Sequence, residues 1–369
     1  MHLNSPFTDR ADGASGRREQ AIQARIAPDQ RISKSDAVAR RRSCVSVRHL
    51  VAEPVKQWRY LCKPLSAGSL VSTLLREDTV SDLRLVSYLA PSLPEGLFVA
   101  VATRIAEATG LTTSLRFQIR TSAPPPGEVD PFSSGEADIG FLCSPGYVWM
   151  TDLQPPAVRL LAAAPVFDDP RTEGRPVYFS DVVVAHGSPA IRFEDLRGGS
   201  WAFNDPCSWS GYLNLLVRLR DVGGAPFFRG LRESGSHLQS IRLIATGEVD
   251  AAAVDSNALA ALRRREANLA SRLRILESWG PHPIQPIVVS SRLPSALADC
   301  IAASLCSMHL DEHSAQVLRA FGVLRFAPVA DEEYAAERAA LRRWQSEQQA
   351  ARLSMKPAPV CGDVSARRT

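Results

Sequence analysis

The stretch NDPCSWSGYLNLLVRL (204–219) carries the densest chemistry in the chain. An Asp-Pro turn leads into Cys207, Ser208 and Ser210 at the start of an amphipathic helix. Free N–H groups at a helix start, two hydroxyls and Gly211, which has no side chain to block approach, suit an anion or a carboxylate. A plain capped helix start is the structural alternative, but one serine would suffice for a cap. Downstream, GSHLQSIRLIATGEVD (235–250) opens a helix with His237, and AAAVDSNAL (251–259) ends a strand at Asp255 and Ser256. Asp255 could orient His237 or accept from a ligand amine, and it could equally cap the helix that follows. Two more turns offer polar contacts: YLAPSLPEG (88–96) with Tyr88 and Ser92, and CSPGYVW (143–149) with Ser144 ahead of Pro145. A nucleophilic reading of the same residues also exists. Cys207 beside a helix start would have a lowered pKa, with His237 as base and Asp255 as orienter. Their spacing matches no familiar nucleophile motif.

These turns all follow apolar runs that read as strands. LRLVSYL (83–89), LRFQI (115–119), ADIGFLC (137–143), VRLLAAAPVF (158–167), PVYFSDVVVA (176–185), SWAFN (200–204), VDAAAVD (249–255), RLRILES (272–278) and IQPIVVS (284–290) are the strand candidates. Helices are predicted up to Gly110, near 209–221 and 237–247, from 257 to 265, and over 294–308, 311–320 and 331–352. Strands alternating with helices imply βαβ units and an α/β fold with mixed, mostly parallel sheets. In such sheets ligands collect beyond the carboxyl ends of strands, where the turns above lie. The last helix has a narrow apolar stripe, Tyr334, Leu341 and Trp344, and is expected to pack on the surface of the body or on a partner helix.

The 369 residues suggest roughly two domains at about 150 residues each. With 45% apolar and 22% charged residues the chain is an ordinary globular one. The net charge of +4 is unevenly spread. Residues 1–80 hold 14 basic and 8 acidic groups, 81–330 hold 22 and 25, and 331–369 hold 7 and 6. The basic excess thus lies in an Arg-rich stretch, 1–80, without sustained periodicity, which reads as mostly disordered. A slightly acidic body argues against nucleic acid as its partner. Seven cysteines without a C-x-x-C give no zinc or disulfide framework. No metal or organic cofactor is implied. The first 30 residues lack an apolar signal core, and no run reaches the length of a membrane span.

The ordered set ADIGFLCSPGY, PVYFSDVVVAHGSP, FEDLRG, WAFNDPCSWSGY and GSHLQSIRLIATGEVDAAAVDS resembles the phosphonate-binding family of ABC-transporter solute-binding proteins. The resemblance runs from about Leu83 to Pro328. It implies the type II periplasmic-binding-protein fold: two α/β lobes, a closing cleft and two hinge crossings. The lobes would be 81–178 with 285–330, and 179–284, followed by a C-terminal helix and tail, 331–369. The crossings would fall near 166–180 and 277–289. It also implies an extracytoplasmic location; the ligand itself does not follow from the resemblance, and the reading taken is a small anionic one of phosphate, phosphite or phosphonate type, with an ABC permease as partner. Ser208, Ser210 and Gly211 match the family's oxyanion grip, His237 its histidine, and Asp255 its polar residue after the VDAAA-type strand. Trp209 replaces a small polar residue there, and would fill the space or stack on a larger ligand. Tyr88, Ser92, Ser144 and Ser256 complete the expected ligand set. By the same analogy Cys143 and Cys207 would face the cleft from opposite lobes, and if they come within disulfide reach oxidation would lock it shut. The competing readings are an enzyme using Cys207, His237 and Asp255, and an intracellular ligand sensor.

Overall fold

The computed structural model describes residues 44–46, 82–120, 122–222 and 226–354, with side chains outside 44–46 and 348–354. In chain order the elements are β1 (Cys44–Ser46), β2 (Asp82–Ser87), α1 (Glu95–Thr109), β3 (Thr112–Phe117), β4 (Ile139–Phe141), α2 (Ser144–Thr151), β5 (Val158–Leu160) and β6 (Ala164–Phe167). There follow β7 (Val177–Ala185), β8 (Ser200–Phe203), α3 (Asn214–Asp221), β9 (Gly230–Glu233), α4 (His237–Ala245), β10 (Ala251–Asp255), α5 (Ser256–Arg265) and α6 (Ala267–Ala270). The chain closes with β11 (Leu273–Pro283), β12 (Ile287–Ser290), α7 (Ser295–Cys306), α8 (Glu312–Ala320), β13 (Val323–Ala327) and α9 (Ala335–Ser354).

The strands build two main sheets, in the orders β1-β3-β2-β4-β12-β5 and β11-β7-β10-β8-β9, and a small β13-β6 ribbon. Both main sheets are mixed. The pairs β3-β2-β4 and β10-β8-β9 are parallel, and antiparallel pairs occur where β1, β12, β7 and β11 join. The second sheet shows why these residues make strands. Val182, Val184, Ala251 and Ala253 point to a cluster with Phe193 and Trp201, while Val183, Ala202, Ala252 and Val254 point to Ile241, Ile244 and Leu259. A period of two with both faces apolar is what a sheet covered on both sides requires. The first sheet packs similarly: Leu83, Leu85, Val86 and Ile139 lie in one cluster with Val101 and Ile105 of α1. That helix stops at Gly110, whose φ of 69° is the left-handed conformation that glycine adopts without strain.

Two connections cross between the sheets. The chain leaves β6 and enters β7 after a 3-10 turn at Pro170–Thr172, and it returns from β11 to β12 through Ile284, Gln285 and Pro286. The crossing strands run side by side, with Tyr178 opposite His282 and Val177 opposite Pro283. Ile284 N–H donates to the Pro176 carbonyl at 3.0 Å, which ties the two crossings together.

Four features depart from the sequence reading. Cys44–Ser46, inside the stretch expected to lack structure, forms an edge strand against β3; the rest of 1–80 lies outside the described residues. The run 158–167 is not one strand but two, β5 and β6, in different sheets. β9, GLRE, went unread because all four residues are exposed and show no apolar pattern. The last helix does more than rest on the surface: Tyr334, just ahead of it, and Leu341 are fully buried, and so is Glu337.

Candidate functional site

The turn after β8 is built by its own side chains. The Asp205 carboxylate accepts from Cys207 N–H at 2.8 Å, and the Asp205 carbonyl accepts from Ser208 N–H at 3.0 Å. Ser208 then caps a π-type turn, Trp209–Leu213, by accepting from Gly211 N–H at 3.2 Å. The wide turn is closed by Leu213 N–H on the Ser208 carbonyl at 2.9 Å and runs on into α3. Such π-turns recur at functional sites because they re-aim side chains. Here the turn directs the Ser208 and Ser210 hydroxyls toward one cavity. The Ser180 hydroxyl on β7 fixes the turn by donating to the Ser210 carbonyl at 2.6 Å. Gly211 is required on steric grounds, since a Cβ there would stand 1.8 Å from Asn204 Oδ1.

α4 and β10 bring the other groups of the second sheet. Ser236 caps α4, and His237 opens it with Nε2 3.2 Å from Ser210 Oγ. Asp255 caps α5 by accepting from Asn257 N–H at 2.7 Å and Ala258 N–H at 3.3 Å; its other oxygen accepts from the Gln285 amide. From the first sheet, the turn between β2 and α1 supplies Tyr88, Leu89, Ser92 and Leu93, and Cys143 stands just before α2. Gln285 on the return crossing and Asn204 after β8 complete the lining of a cavity of about 20 Å3, room for a water molecule or two. Ser92 Oγ, His237 Nδ1 and Gln285 Oε1 are buried without a hydrogen-bond partner.

The site is close to neutral. Burial pushes the His237 pKa down to about 4, so the imidazole is uncharged at neutral pH. Burial raises Asp255 to about 7 against the pull of the Asn257 and Ala258 N–H groups. Tyr88 rises to about 12 by burial, which the nearby Arg116 and Arg120 oppose. Among the described residues, no lysine or arginine lines the cavity. An anion here would be held by hydroxyls, an imidazole and carboxamides rather than by a cation.

Of the residues singled out in the sequence, the structure gathers Tyr88, Ser92, Ser208, Ser210, His237 and Asp255 around the cavity. Ser144, Trp209, Gly211 and Ser256 do not line it. The buried Ser144 hydroxyl lies near Glu337 of α9. Trp209 turns away: its backbone N–H points at Cys143 Sγ at 3.5 Å, and its indole N–H donates to His282 Nδ1 at 3.1 Å. Gly211 makes room for Asn204, and Ser256 Oγ accepts from Phe179 N–H at 3.1 Å. Asn204, Cys143 and Gln285 were not among the expected ligand residues. Gln285 carried one signal, a lone polar residue inside the apolar, proline-flanked run PIQPI.

The Cys-His-Asp arrangement is not assembled. His237 meets Ser210 and Asp255 meets Gln285, while Cys207 lies outside the lining. Burial raises the Cys207 pKa to about 11, helped by Asp205, the reverse of the lowering expected at a helix start. Cys143 and Cys207 are both free thiols. Among the described residues no group of His, Cys, Asp and Glu could hold a metal ion, and no helix is long and apolar enough to cross a membrane.

A binding-protein component of an ABC phosphonate transporter from Pseudomonas aeruginosa superposes with a TM-score of 0.60 at 16% identity, over 75% of this chain and 90% of that one. PhnD1 from Prochlorococcus marinus, in complex with methylphosphonate, gives 0.60 at 16%, over 72% and 98%. A Xanthomonas citri protein bound to ATP gives 0.53 at 18%, over 75% and 100%. At such identities the likeness shows the fold, two α/β lobes of the type II periplasmic-binding-protein kind. No curated protein matches the chain in sequence. The family described as ABC transporter, phosphonate, periplasmic substrate-binding protein matches residues 86–334, two thirds of the chain. The chain therefore belongs to the phosphonate-type periplasmic substrate-binding proteins of ABC transporters.

Proposed function

We propose that the groups lining the cavity, with the lobes parted further than in this structure because the space between them now holds only a water or two, bind a small phosphorus oxyanion, phosphate, phosphite or a short phosphonate, and that the protein delivers it to an ABC permease. In this reading the lobes are 81–178 with 285–330, and 179–284, with 331–369 an appended helix and tail. Ser208, Ser210 and His237 come from one lobe and Tyr88 and Ser92 from the other, so a ligand that bonds to both favours the closed state. The carrying observation is that these five side chains and Asp255 converge on one cavity from two sheets. Its hydroxyls and imidazole can turn donors toward oxyanion oxygens. Asp255 in its neutral form would add an O–H donor, and in its ionised form would accept from a ligand amine. PhnD1 in complex with methylphosphonate supplies a precedent for the ligand class.

The reading is non-enzymatic, because the matched family is one of substrate-binding proteins and His237 and Asp255 meet Ser210 and Gln285 rather than Cys207. A thermal-melt panel on the full chain tests it, with phosphate, phosphite, sulfate, methyl-, ethyl- and aminoethylphosphonate, and neutral controls. A ligand at 100 times its Kd adds about 2.7 kcal/mol and moves the midpoint by a few degrees. A selective shift with phosphorus oxyanions, lost in S208A/S210A, supports the reading. A flat panel contradicts it.

A further inference from the structure

The walls of the ligand cavity differ in polarity from one side to the other. The half built on the second sheet supplies Asn204, Ser208, Ser210, His237 and Asp255, every one of them polar. The half built on the first sheet supplies Tyr88 and Ser92, but also Leu89, Leu93 and Cys143, with Gln285 at the return crossing. Cys143 is buried, and burial raises its pKa, so it presents a small uncharged surface.

Next to the leucines lies a second space, an apolar chamber of about 20 Å3. α1 gives it Leu97, Phe98 and Val101, and β4, β6 and β13 give it Phe141, Phe167 and Phe326, all of them buried. Leu89, Leu93 and Gln285 line both spaces, so a single layer of side chains divides them. Gln285 is held in that layer by its amide, which donates to Asp255, and Leu93 is buried. Leu89 is only half-buried and is the part of the partition free to turn aside. Every wall of the chamber belongs to the half built on the first sheet, so its shape does not depend on how far the lobes are parted.

The geometry of phosphorus connects the two spaces. Oxyanion oxygens need donors, and the second half presents them in Ser208, Ser210 and His237. A tetrahedral centre with its oxygens turned to those groups aims its remaining bond at the opposite wall, where Leu89 and Leu93 stand. A carbon chain on that bond gains by leaving water for the chamber, whereas a further hydroxyl or an ammonium loses its hydration there without a partner. We infer that the chamber is the substituent pocket of the ligand site, and that the ligand is a phosphonate with a short apolar chain, bound in preference to phosphate or an aminoalkyl phosphonate. A chamber of about 20 Å3, the size of a water or two, limits that chain to about two or three carbons, the first of which spans the partition. Val101 and Leu97 on α1 then set the chain length from the far wall.

This inference rests on the binding reading for the oxyanion grip and adds the identity of the fourth substituent. Isothermal titration of the full chain at neutral pH with phosphate and with methyl-, ethyl-, propyl- and 2-aminoethylphosphonate tests it. Affinity is expected to rise about fourfold for each carbon added from methyl to propyl, the worth of one buried methylene. Propyl- and aminoethylphosphonate have nearly the same shape and differ in ending on a methyl or an ammonium. The propyl compound is expected to bind about tenfold tighter or more, because the ammonium finds no partner in the chamber. Val101→Leu adds one methylene to the far wall. It is expected to erase the advantage of propyl over methyl while methylphosphonate affinity stays within about twofold. Equal affinity along the alkyl series, tighter binding of aminoethylphosphonate, or an unchanged propyl-to-methyl ratio in Val101→Leu overturns the inference and leaves the oxyanion grip standing. The wild-type series decides the matter should Val101→Leu fail to fold. If none of the compounds binds wild type, the binding reading fails and the inference with it.

Discussion

Replacing Asp255 with asparagine separates the electrostatic role of this side chain from its role as a helix cap. The residue is 6% exposed, and burial raises its pKa from an ordinary 3.8 to about 7. The folded protein thus prefers the neutral acid, whereas the unfolded chain ionises above pH 4. Stability from this group is fully present below pH 4 and is lost as pH rises through 7. The gap between 3.8 and about 7 sets a ceiling of about 4 kcal/mol on that loss. Asparagine can keep the cap, since its oxygen accepts from Asn257 and Ala258 as Asp255 does. Gln285, whose Oε1 has no partner, can turn its carboxamide to accept from the new amide. Asp255→Asn is therefore expected to match wild type near pH 4 and to exceed it by up to about 4 kcal/mol at pH 8. Urea unfolding at a series of pH values from 4 to 8 measures the difference. Parallel stability curves for the two proteins would refute the reasoning, as would a variant less stable at every pH.

The grip itself yields further expectations. Ser208→Ala and Ser210→Ala should each weaken oxyanion binding about 10- to 100-fold in calorimetric titration, as expected for hydrogen bonds to a charged ligand. Gly211→Ala should cost about 1–3 kcal/mol of stability in urea unfolding and displace Asn204, because its Cβ would overlap the carboxamide. Cys207→Ala should leave affinity unchanged within twofold, since the thiol lies outside the lining. Binding of a simple phosphonate should strengthen from pH 8 to pH 6, because an anion favours the protonated form of Asp255; calorimetry in two buffers of unlike ionisation heat should register proton uptake. An amine-bearing ligand held by ionised Asp255 would show the opposite trend.

Much of the fold could be read from the chain because its strands are buried runs. LRLVS and AAAVD are apolar on both faces and end at polar turns, and the turns after β2 and β8, with the start of α4 and the end of β10, are where the cavity groups lie. What resisted reading depends on distant contacts. Trp209 looked like a ligand contact because its neighbours are Ser208 and Ser210, but its partner His282 is 73 residues away and reaches it only through the crossing of β7 and β11. Glu337 sits in a charged helix, where nothing local separates one buried glutamate from its exposed neighbours. Asn204 and Gln285 flank the cavity through backbone positions that only the closed sheets define. The raised pKa of Cys207 shows the same limit: a helix start favours the thiolate, yet burial beside Asp205 outweighs it.

The central claim is that Ser208, Ser210 and His237 grip a small phosphorus oxyanion against Tyr88 and Ser92. Isothermal titration of the full chain with phosphate, phosphite and methylphosphonate, repeated on S208A/S210A, tests it most directly. The account predicts saturable one-to-one binding of at least one of these ions by wild type and its loss in the double variant. Absence of binding by wild type, or equal binding by both proteins, would contradict it.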